Sequence, residues 1–405
     1  MKRWPRKLLR YNEIVLILLS ILIVLGSFNF HSMKSQASRI STSDYGSAPS
    51  SEHVYDETDV ISQWYRYLDT PGHSEAERYI ASVFEEYGLN VTTQEYTAQR
   101  EDGEVRAANI LGYLKGKDAD KCLIIGGHYD VHEYSTHGAY DNAVGAGTVI
   151  ELARLFSEVE NHTPTTSMIF AAWDSEEGGG AGSKYFLDNM PWQTDIIAYI
   201  NLDMFSLNYP VKNNIPLSNE EYYKMNIYTS PIKDFSRYDD IEFNKSTLGN
   251  FTKFREILEN ITYEQYNYPP NWVPVMDDTV GASDHRFFIE RGIPGVWFRG
   301  LNEKPREERD LNEIALKHTP IDRLETMEEY AGGKEELLKG IDTGLVISYS
   351  LATQILESHN VSSSQNVDET VSENFGEAGQ IAIIIVTVGI IATVLCYVFI
   401  RRIRY

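Results

Sequence analysis

The chain has 405 residues, 42% of them hydrophobic, and a formal net charge of −23. This is enough apolar sequence for one large domain, or two small ones, with a buried core. So acidic a chain repels a phosphate backbone, which argues against nucleic acid as a partner. Its two cysteines are too few for a zinc site built from cysteine ligands.

The N-terminal end predicts a membrane segment followed by a tether. Residues 1–13 form a basic tail, residues 14–30 are almost purely apolar, and residues 31–56 are rich in serine. About twenty apolar residues cross a bilayer, so the slightly shorter segment 14–30 is interpreted as a transmembrane anchor or a signal segment. A serine-rich composition is typical of a flexible tether, which places the start of the globular domain at residue 57.

Helical and strand-like patterns alternate through residues 57–358. Apolar spacing predicts, in chain order, a helix over 74–88, strands over 90–97, 109–114 and 122–126, a helix over 143–156, strands over 167–173, 196–202 and 293–298, and a long helix over 335–357. This alternation indicates an α/β fold, a three-layer sandwich with a mostly parallel central sheet. The Tyr- and Asn-rich stretch 205–280 is expected to form a cap-like insert.

The C-terminal end repeats the N-terminal organisation in reverse. A polar tether over 359–380 precedes the apolar segment 381–400, and the basic tail 401–405 ends the chain. The length of segment 381–400 predicts a transmembrane helix. Because Lys and Arg favour the cytoplasmic side of a membrane, both termini are expected in the cytoplasm. The globular domain is then expected outside the cell or in an organelle lumen, with the lipid bilayer as a partner.

Potential glycosylation sites lie between the two apolar segments. Six Asn-X-Ser/Thr sequons occur there, at Asn90, Asn161, Asn244, Asn250, Asn260 and Asn360. Such sequons fit a glycoprotein whose domain faces away from the cytoplasm.

Candidate metal ligands follow the predicted strands or flank a helix. They are His128, Asp141, Glu176, Glu177, Asp203 and His318. The carboxyl ends of parallel strands gather at one edge of a sheet, where active sites form. Histidine and carboxylate ligands without cysteine suit two zinc ions that share a bridging carboxylate and hold a water between them.

Two residue pairs predict a division of roles within this set. In neighbouring residues the side chains point apart, so one of Glu176 and Glu177 can bind metal while the other takes the proton of the water. Residues two apart on an extended chain lie on one face. Asp130 can therefore orient the ring of His128.

Six motifs occur in one order along the chain: GGHYD (126–130), GAYDNAVGAG (138–147), FAAWDSEEGGGAGSKYF (170–186), NLDM (201–204), ASDHRFFIERGIPGVWF (282–298) and HTPIDRLETM (318–327). With them the chain resembles the co-catalytic di-zinc metallopeptidases, a family that includes leucine-type aminopeptidases, glutamate carboxypeptidase and endoplasmic-reticulum metallopeptidases. The resemblance covers residues 57–358 and implies a zinc aminopeptidase-like fold.

The resemblance also implies a role for each matching residue. One zinc ion would be bound by His128 and Asp203, the other by Glu177 and His318, with Asp141 bridging the two. Glu176 would be the general base and Asp130 the carboxylate behind His128. A cis peptide bond is expected after the bridging aspartate. Among peptidases of this family, an aminopeptidase that hydrolyses the N-terminal bond of peptides with a free N-terminus is favoured, because an acidic rim near the metals would attract an α-amino group.

Three alternatives remain at this point. Glutaminyl cyclases resemble the same fold but hold a single zinc ion through Asp, Glu and His, and the presence of His128 argues against one. Receptor or scaffold ectodomains of this fold have lost metal ligands or the base, whereas Glu176 is present here. A glutamate carboxypeptidase needs arginines around the substrate carboxylates. Arg286, Arg291 and Arg299 lie near the ASDH motif.

Overall fold

The computed structural model describes residues 48–100, 103–157, 163–207, 225–300 and 316–365, with side chains described up to residue 358. The predicted membrane segments 14–30 and 381–400 and both basic tails lie outside these residues. Within the described ranges, no helix is both long enough and apolar enough to cross a membrane. The chain divides into two units, residues 1–354 and 355–405.

The described helices are α1 (Ser51–Ser62), α2 (Pro71–Glu86), α3 (Val144–Ser157), α4 (Ala181–Asp188), α5 (Lys245–Glu259), α6 (His285–Glu290), α7 (Leu324–Ala331) and α8 (Lys334–Gln365). The strands are β1 (Asn90–Arg100), β2 (Gly103–Leu114), β3 (Asp118–His128), β4 (Thr166–Trp173), β5 (Asp195–Leu202), β6 (Met225–Thr229), β7 (Val275–Asp277) and β8 (Gly295–Gly300). Every helix and strand predicted from the apolar spacing is confirmed, with shifted ends, as α2, α3, α8, β1 to β5 and β8.

The eight strands form one sheet in the order β1-β2-β4-β3-β5-β8-β6-β7. Pairing is parallel between β4, β3, β5 and β8 and between β6 and β7, and antiparallel for β1–β2, β2–β4 and β6–β8. The sheet is therefore mixed, and the expected parallel pairing is confirmed for its centre. β1 and β2 pair antiparallel because so few residues separate them in the chain, whereas parallel strands require a long crossover.

Helices cover both faces of the sheet. Phe156 of α3 packs against Phe170 of β4, with ring centroids 6.4 Å apart. Trp173 of the same strand packs against Phe186 of α4 at 5.1 Å. Because residues an odd number apart on a strand face opposite sides, these contacts lie on opposite faces. Burying each large apolar side chain contributes roughly 1.5–3 kcal/mol, and the result is the expected three-layer arrangement.

Helix α2 shows how local sequence sets an element and prepares the site. The Thr70 hydroxyl accepts a hydrogen bond from the backbone N–H of His73 at 3.2 Å, and Pro71 occupies the first helical position. Both features favour a helix start, which explains why the helix begins three residues before the predicted range. Ile80 and Phe84 bury its apolar face, and this packing turns the side chain of His73 inward.

The stretch 205–280, predicted to be a cap-like insert, is described over residues 205–207 and from residue 225 onward. There β6 pairs with β8, and β7 pairs with β6, so these strands extend the sheet. Helix α5 follows β6 and begins at its capping residue Asn244, whose side chain accepts from the Thr247 N–H at 2.9 Å. A covering role for residues 205–280 stays a prediction.

Candidate metal centre

Three strand ends bring candidate ligands to one edge of the sheet. His128 is the last residue of β3, and Asp203 directly follows β5, the parallel neighbour of β3. Glu176 and Glu177 follow β4, which flanks β3 on the other side. Because the three parallel strands run in the same direction, the residues that follow them meet at one edge.

A buried turn between β3 and α3 supplies Asp141. The carboxylate of Asp322 accepts the backbone N–H of Tyr140 at 2.7 Å and that of Asp141 at 3.1 Å. The amide of Asn142 donates to the carbonyl oxygen of Leu202 at 2.9 Å, which ties the turn to the end of β5. The peptide bond between Asp141 and Asn142 is cis, as the family resemblance implied.

His128, Asp141 and Asp203 form a first group of possible ligands. The Nε2 atom of His128 lies 3.2 Å from Asp141 Oδ1 and 3.4 Å from Asp203 Oδ1. All three side chains are buried. One ligand atom from each lies within 4.8 Å of the others, which is close enough for one metal ion to contact all three.

Asp141, Glu177 and His318 form a second group on the other side of the shared aspartate. The Nε2 atom of His318 lies 2.8 Å from Glu177 Oε2 and 3.4 Å from Asp141 Oδ2. The two groups together, called the ligand cluster here, contain all five residues predicted from sequence as metal ligands. Asp141 belongs to both groups, with one oxygen facing each.

The ligand cluster contains buried polar atoms that make no hydrogen bond of normal geometry, although oppositely charged side chains lie near them. Each of its residues has one buried atom of this kind: His128 Nε2, Asp141 Oδ2, Glu177 Oε1, Asp203 Oδ1 and His318 Nε2. A buried polar atom left unpaired costs about 1–3 kcal/mol, so five of them in one place require compensation. Nitrogen and carboxylate donors without sulfur are ligands that zinc accepts, and the donor set therefore fits two such ions.

The charges around the ligand cluster also favour a bound cation. Burial alone would lower the pKa of His128, but the carboxylates of Asp130, Asp141 and Asp203 raise it well above its usual range. Burial opposes ionisation of Asp141, yet Lys317 and His128 together lower the pKa of this carboxyl. The acidic side chains that attract a proton to His128 would equally attract a metal ion in its place.

Asp130 holds the loop that carries Glu176 and Glu177. Its carboxylate accepts the backbone N–H of Glu176 at 3.0 Å and that of Glu177 at 3.2 Å. The same carboxylate lies 3.3 Å from Nδ1 of His128. Burial, followed by the charge of Asp203, raises the pKa of Glu176 well above its usual range, although His128 opposes this. Asp130 thus connects the first ligand of the cluster to the predicted base.

Backbone strain is concentrated at the same edge of the sheet. Ser175, Met204 and His318 have φ angles of +58°, +55° and +58°. A non-glycine residue in this left-handed region costs roughly 1–3 kcal/mol and is often found at functional sites. Ser175 directly precedes Glu176, and Met204 directly follows Asp203. His318 itself belongs to the ligand cluster.

A second set of buried polar side chains, here the loop-anchor cluster, contains His73, Tyr96, Tyr129 and Asp174. Asp174 Oδ1 lies 3.0 Å from Nε2 of His73, and Asp174 Oδ2 accepts from the Tyr129 hydroxyl at 3.2 Å. The Tyr96 hydroxyl donates to the carbonyl oxygen of Asp174 at 2.8 Å. Since Asp174 directly precedes the loop with the two glutamates, this cluster fixes where that loop starts.

Several site residues were missed by sequence reasoning. His73, Asp174, Asp322 and Lys317 contact the ligand cluster or the segments that carry it, yet none was assigned a role. Asp174 lies in the WDSEE segment and Asp322 in the HTPID segment. Their position inside these motifs could have indicated a role in the site. His73 has no such signal, because it lies 101 positions from its partner Asp174.

The consecutive residues Ser283, Asp284 and His285 do not converge on one point. The Ser283 hydroxyl accepts from the Asn201 amide at 2.7 Å. Asp284 accepts from the Ser183 hydroxyl at 2.5 Å, and its carboxyl is buried, which raises its pKa to about 7. His285 bonds through Nε2 to Asp278 at 2.9 Å. The three side chains point to three different partners and do not form a nucleophilic triad.

The two histidines of the loop after β3 differ in position. The ring of His132 stacks on that of His318, with centroids 4.3 Å apart and an interplanar angle of 11°. The Nδ1 atom of His137 lies 2.9 Å from the carbonyl oxygen of Ser62. Neither belongs to the groups that could hold a metal ion. Both are therefore residues of the loop after β3 rather than candidate ligands.

Comparison with known proteins identifies related sequences. The model of peptidase family M28 matches residues 109–333. A glutamate carboxypeptidase 2 homolog of Caenorhabditis elegans is 32% identical over 208 residues, which cover 49% of this chain and 24% of that protein. Leupeptin-inactivating enzyme 1 of Streptomyces exfoliatus is 30% identical over 236 residues, 57% of this chain and 44% of the relative. The chain thus spans less than half the length of these curated relatives.

Solved structures share the fold. A glutaminyl cyclase of Porphyromonas gingivalis aligns with a TM-score of 0.56 and 18% identity over 75% of this chain and 98% of its own. An aminopeptidase from Aneurinibacillus sp. strain AM-1 aligns with a TM-score of 0.54 and 17% identity over 76% of this chain and 94% of its own. At such identities the likeness shows the α/β fold, which occurs in peptidases and in cyclases.

Proposed function

This chain belongs to the zinc-dependent peptidase family M28, and on that premise we propose that it is an aminopeptidase that hydrolyses the N-terminal bond of peptides. The observation that carries the proposal is the pair of three-residue groups that share Asp141, with Glu176 beside them. A single metal ion would leave the other group's buried polar atoms unpaired. Two zinc ions per chain are therefore the proposed cofactors.

The proposed ligands follow the two groups. His128 and Asp203 would hold one zinc ion, Glu177 and His318 the other, and Asp141 would contact both. Bound there, the ions would make a water molecule acidic and stabilise the negative charge that develops on the substrate carbonyl oxygen. The side chains need little rearrangement for this role, because one ligand atom from each residue already lies within 4.8 Å of the others in each group.

Glu176 is the proposed general base. It would take a proton from the attacking water and deliver that proton to the nitrogen of the leaving amine as the C–N bond breaks. A carboxyl whose pKa is raised by burial can hold a proton between these two steps, which is what such a shuttle requires. Asp130 would keep Glu176 in place through its backbone hydrogen bond of 3.0 Å.

A free N-terminus is the proposed feature of the substrate. Burial raises the pKa of Glu176, and the negative charge of Asp203 adds to this rise although His128 opposes it. An α-amino group is a cation at neutral pH, and a carboxylate-rich edge attracts it. This charge pattern favours an aminopeptidase over an enzyme that selects an anionic C-terminus through arginines.

The domain organisation and location are proposed from the chain ends. Segments 14–30 and 381–400 would anchor the peptidase domain, residues 57–358, through the tethers 31–56 and 359–380. The basic tails 1–13 and 401–405 would lie in the cytoplasm, and the domain would face the outside or a lumen. The side chains of Asn90, Asn244, Asn250 and Asn260 are exposed, so these four sequons are accessible to glycosylation.

The test uses the full chain, purified in detergent. Zinc is counted per chain, and hydrolysis is measured with a panel of aminoacyl chromogenic substrates. Glu176→Gln is compared with Glu75→Gln, a change on the exposed face of α2 where Glu75 pairs with Arg78. We expect about two zinc ions per chain and a loss of roughly 10²–10⁴-fold in kcat for Glu176→Gln without loss of zinc, and wild-type activity for Glu75→Gln.

Other outcomes would support the alternatives. One zinc ion per chain together with cyclisation of N-terminal glutamine would indicate a glutaminyl cyclase, whose fold the chain shares. A folded protein that retains no zinc and turns over no substrate would indicate a receptor or scaffold ectodomain. Equal activity of Glu176→Gln and the wild type would remove Glu176 from the mechanism.

A further inference from the structure

Two consecutive side chains converge on one oxygen of the ligand cluster. Lys317 Nζ lies 3.9 Å from Asp141 Oδ2, and His318 Nε2 lies 3.4 Å from the same atom. Neighbouring side chains of an extended chain point to opposite sides. Here the left-handed backbone of His318, with a φ of +58°, bends the chain so that both reach the site. An ammonium group is thereby held beside the proposed zinc ligands.

Lys317 remains accessible from outside, unlike the carboxylate that it faces. Its side chain is 30% exposed, whereas that of Asp141 is 1% exposed. Arg66, a second cation near the same turn, differs from Lys317 in burial. Arg66 is 0% exposed, and its guanidinium donates to the carbonyl oxygens of Tyr129, His137 and Gly138. Arg66 therefore serves the fold, while Lys317 can meet a bound molecule.

Metal ligation would change the partners of Lys317. If Asp141 gives its oxygens to two zinc ions, as in the proposed function on which this inference rests, its negative charge is no longer directed at the ammonium group. Lysine has a flexible stem and three donors, so its amine can turn from Asp141 toward an anion at the mouth of the site. A substrate bound at the cluster would place the atoms next to its scissile bond within reach.

We propose that Lys317 binds a carboxylate of the substrate next to the scissile bond, so that the enzyme prefers peptides that carry an acidic group there. The carboxylate has two possible sources, an aspartate or glutamate side chain and the free α-carboxylate of a dipeptide. Both offer the ammonium group the same charge-assisted hydrogen bond. Lys317 would thus determine specificity, while the proton transfer stays with Glu176.

The test compares four peptides on the full-length protein in detergent: Ala-Ala-amide, Asp-Ala-amide, Ala-Asp-amide and Ala-Ala with a free carboxylate. The quantity measured is the ratio of kcat/KM for each acidic peptide to that for the neutral amide. We expect a ratio of about ten or more for at least one acidic peptide in the wild type. Which peptide shows it distinguishes the side-chain carboxylate from the α-carboxylate.

Three variants separate charge from structure. Lys317→Met should bring the ratio to about one, and Lys317→Arg, which keeps the positive charge, should retain most of it. Lys121→Met is the matched control. Lys121 also pairs with an aspartate, at 3.6 Å, and is 40% exposed, but it lies at the other end of β3, about 23 Å from His128. Its replacement should leave the ratio unchanged.

The unfavourable outcomes can be told apart. If the wild type hydrolyses peptides but the four kcat/KM values are equal, or if Lys317→Met keeps the wild-type ratio, the inference is wrong while the proposed function stands. A Lys317→Met protein that binds zinc differently but retains the ratio would show that Lys317 only balances charge among the ligands, which also overturns it. If no peptide is hydrolysed by the wild type, the proposed function and this inference fail together.

Discussion

The ligand cluster and the loop-anchor cluster are both buried and both rich in charge, but they differ in how their polar atoms are satisfied. In the loop-anchor cluster, Asp174 accepts from Tyr129, from the backbone of Ala108 at 2.7 Å and from that of Ser175 at 2.8 Å, and it pairs with His73. Each residue of the ligand cluster instead has a buried atom that makes no hydrogen bond, only ion-pair contacts or none.

This difference separates a structural role from a binding role. Buried polar groups are almost always hydrogen-bonded in native proteins, and a complete network such as that of Asp174 needs nothing further. A set of five unpaired atoms facing one space is stable only with a bound cation or with protonation. Burial and charge alone would not have distinguished the two clusters, whereas the hydrogen-bond partners do.

The largest expected loss of stability follows from removing the central carboxylate of the loop-anchor cluster. Asp174→Ala leaves His73, Tyr129 and two backbone N–H groups without their acceptor, and we expect the free energy of unfolding to fall by about 3–5 kcal/mol. Thermal and denaturant unfolding of the full chain would measure it. Tyr96→Phe is the control, since it removes one hydrogen bond and should lower stability by about 1 kcal/mol. An unfolding midpoint of Asp174→Ala equal to that of the wild type would contradict the assigned structural role.

Removal of zinc from the ligand cluster should lower the stability of the protein by a slightly smaller amount. A ligand that binds the native state alone stabilises it by about 4 kcal/mol when its free concentration is a thousand times its dissociation constant. Addition of a chelator should therefore lower the melting temperature of the wild type. The shift should shrink in His318→Ala, which lacks one proposed ligand. Identical melting curves with zinc and with chelator would show that the ligand cluster does not hold the ion.

The substitution Glu177→Gln should stabilise the protein in the absence of zinc and destabilise the zinc-bound protein. Without zinc, the change removes one of two neighbouring negative charges, those of Glu177 and Asp141, and should raise stability by about 1 kcal/mol. With zinc, it should weaken binding at least about tenfold. Unfolding at pH 8 and zinc titration would measure the two effects. Glu95→Gln, a change of an exposed side chain paired with Arg106, should stay within about 0.5 kcal/mol in both conditions. If Glu177→Gln changes the free energy of unfolding in the same direction with and without zinc, Glu177 is not a zinc ligand.

The smallest expected effect concerns a satisfied charge network nearer the surface. His53 of α1 lies 2.6 Å from Glu151 of α3, and this hydrogen bond, with one to Glu57, raises the pKa of His53 from 6.5 to about 9. Because the folded pKa is above the unfolded one, the stabilisation is complete below pH 6.5 and is lost as pH rises toward 9. Solvent screening limits it to about 1 kcal/mol.

Unfolding of the wild type and of His53→Gln between pH 6 and pH 10 would measure this loss, at roughly constant ionic strength so that surface charges are screened alike. The wild type should lose stability relative to His53→Gln as the pH passes through this window. If the free energy of unfolding depends on pH in the same way for both proteins, the His53–Glu151 contact contributes nothing to stability. Hydrogen-bonded charge networks near the surface would then differ from the buried network around Asp174.

Local patterns in the sequence predicted the elements and the residues of the ligand cluster. The apolar runs of β3, β4 and β5 indicated buried strands, and the polar residues that follow them, such as His128 and Asp203, were expected at one edge. That expectation agrees with the structure because parallel strands necessarily end at the same side. The antiparallel pairing of β1 with β2 was not predicted, since the apolar spacing of a strand does not reveal the direction of its neighbour.

The sequence by itself therefore determined the type of fold, the chemistry of the candidate ligands and their approximate meeting place. Only the tertiary structure decided which buried polar groups are partners, as His73 and Asp174 are across 101 positions. It also decided that Lys317 turns toward Asp141, because a left-handed residue bends the chain there. The physical reason is that spacing and composition act locally, whereas hydrogen-bond partners and side-chain directions depend on how distant segments pack.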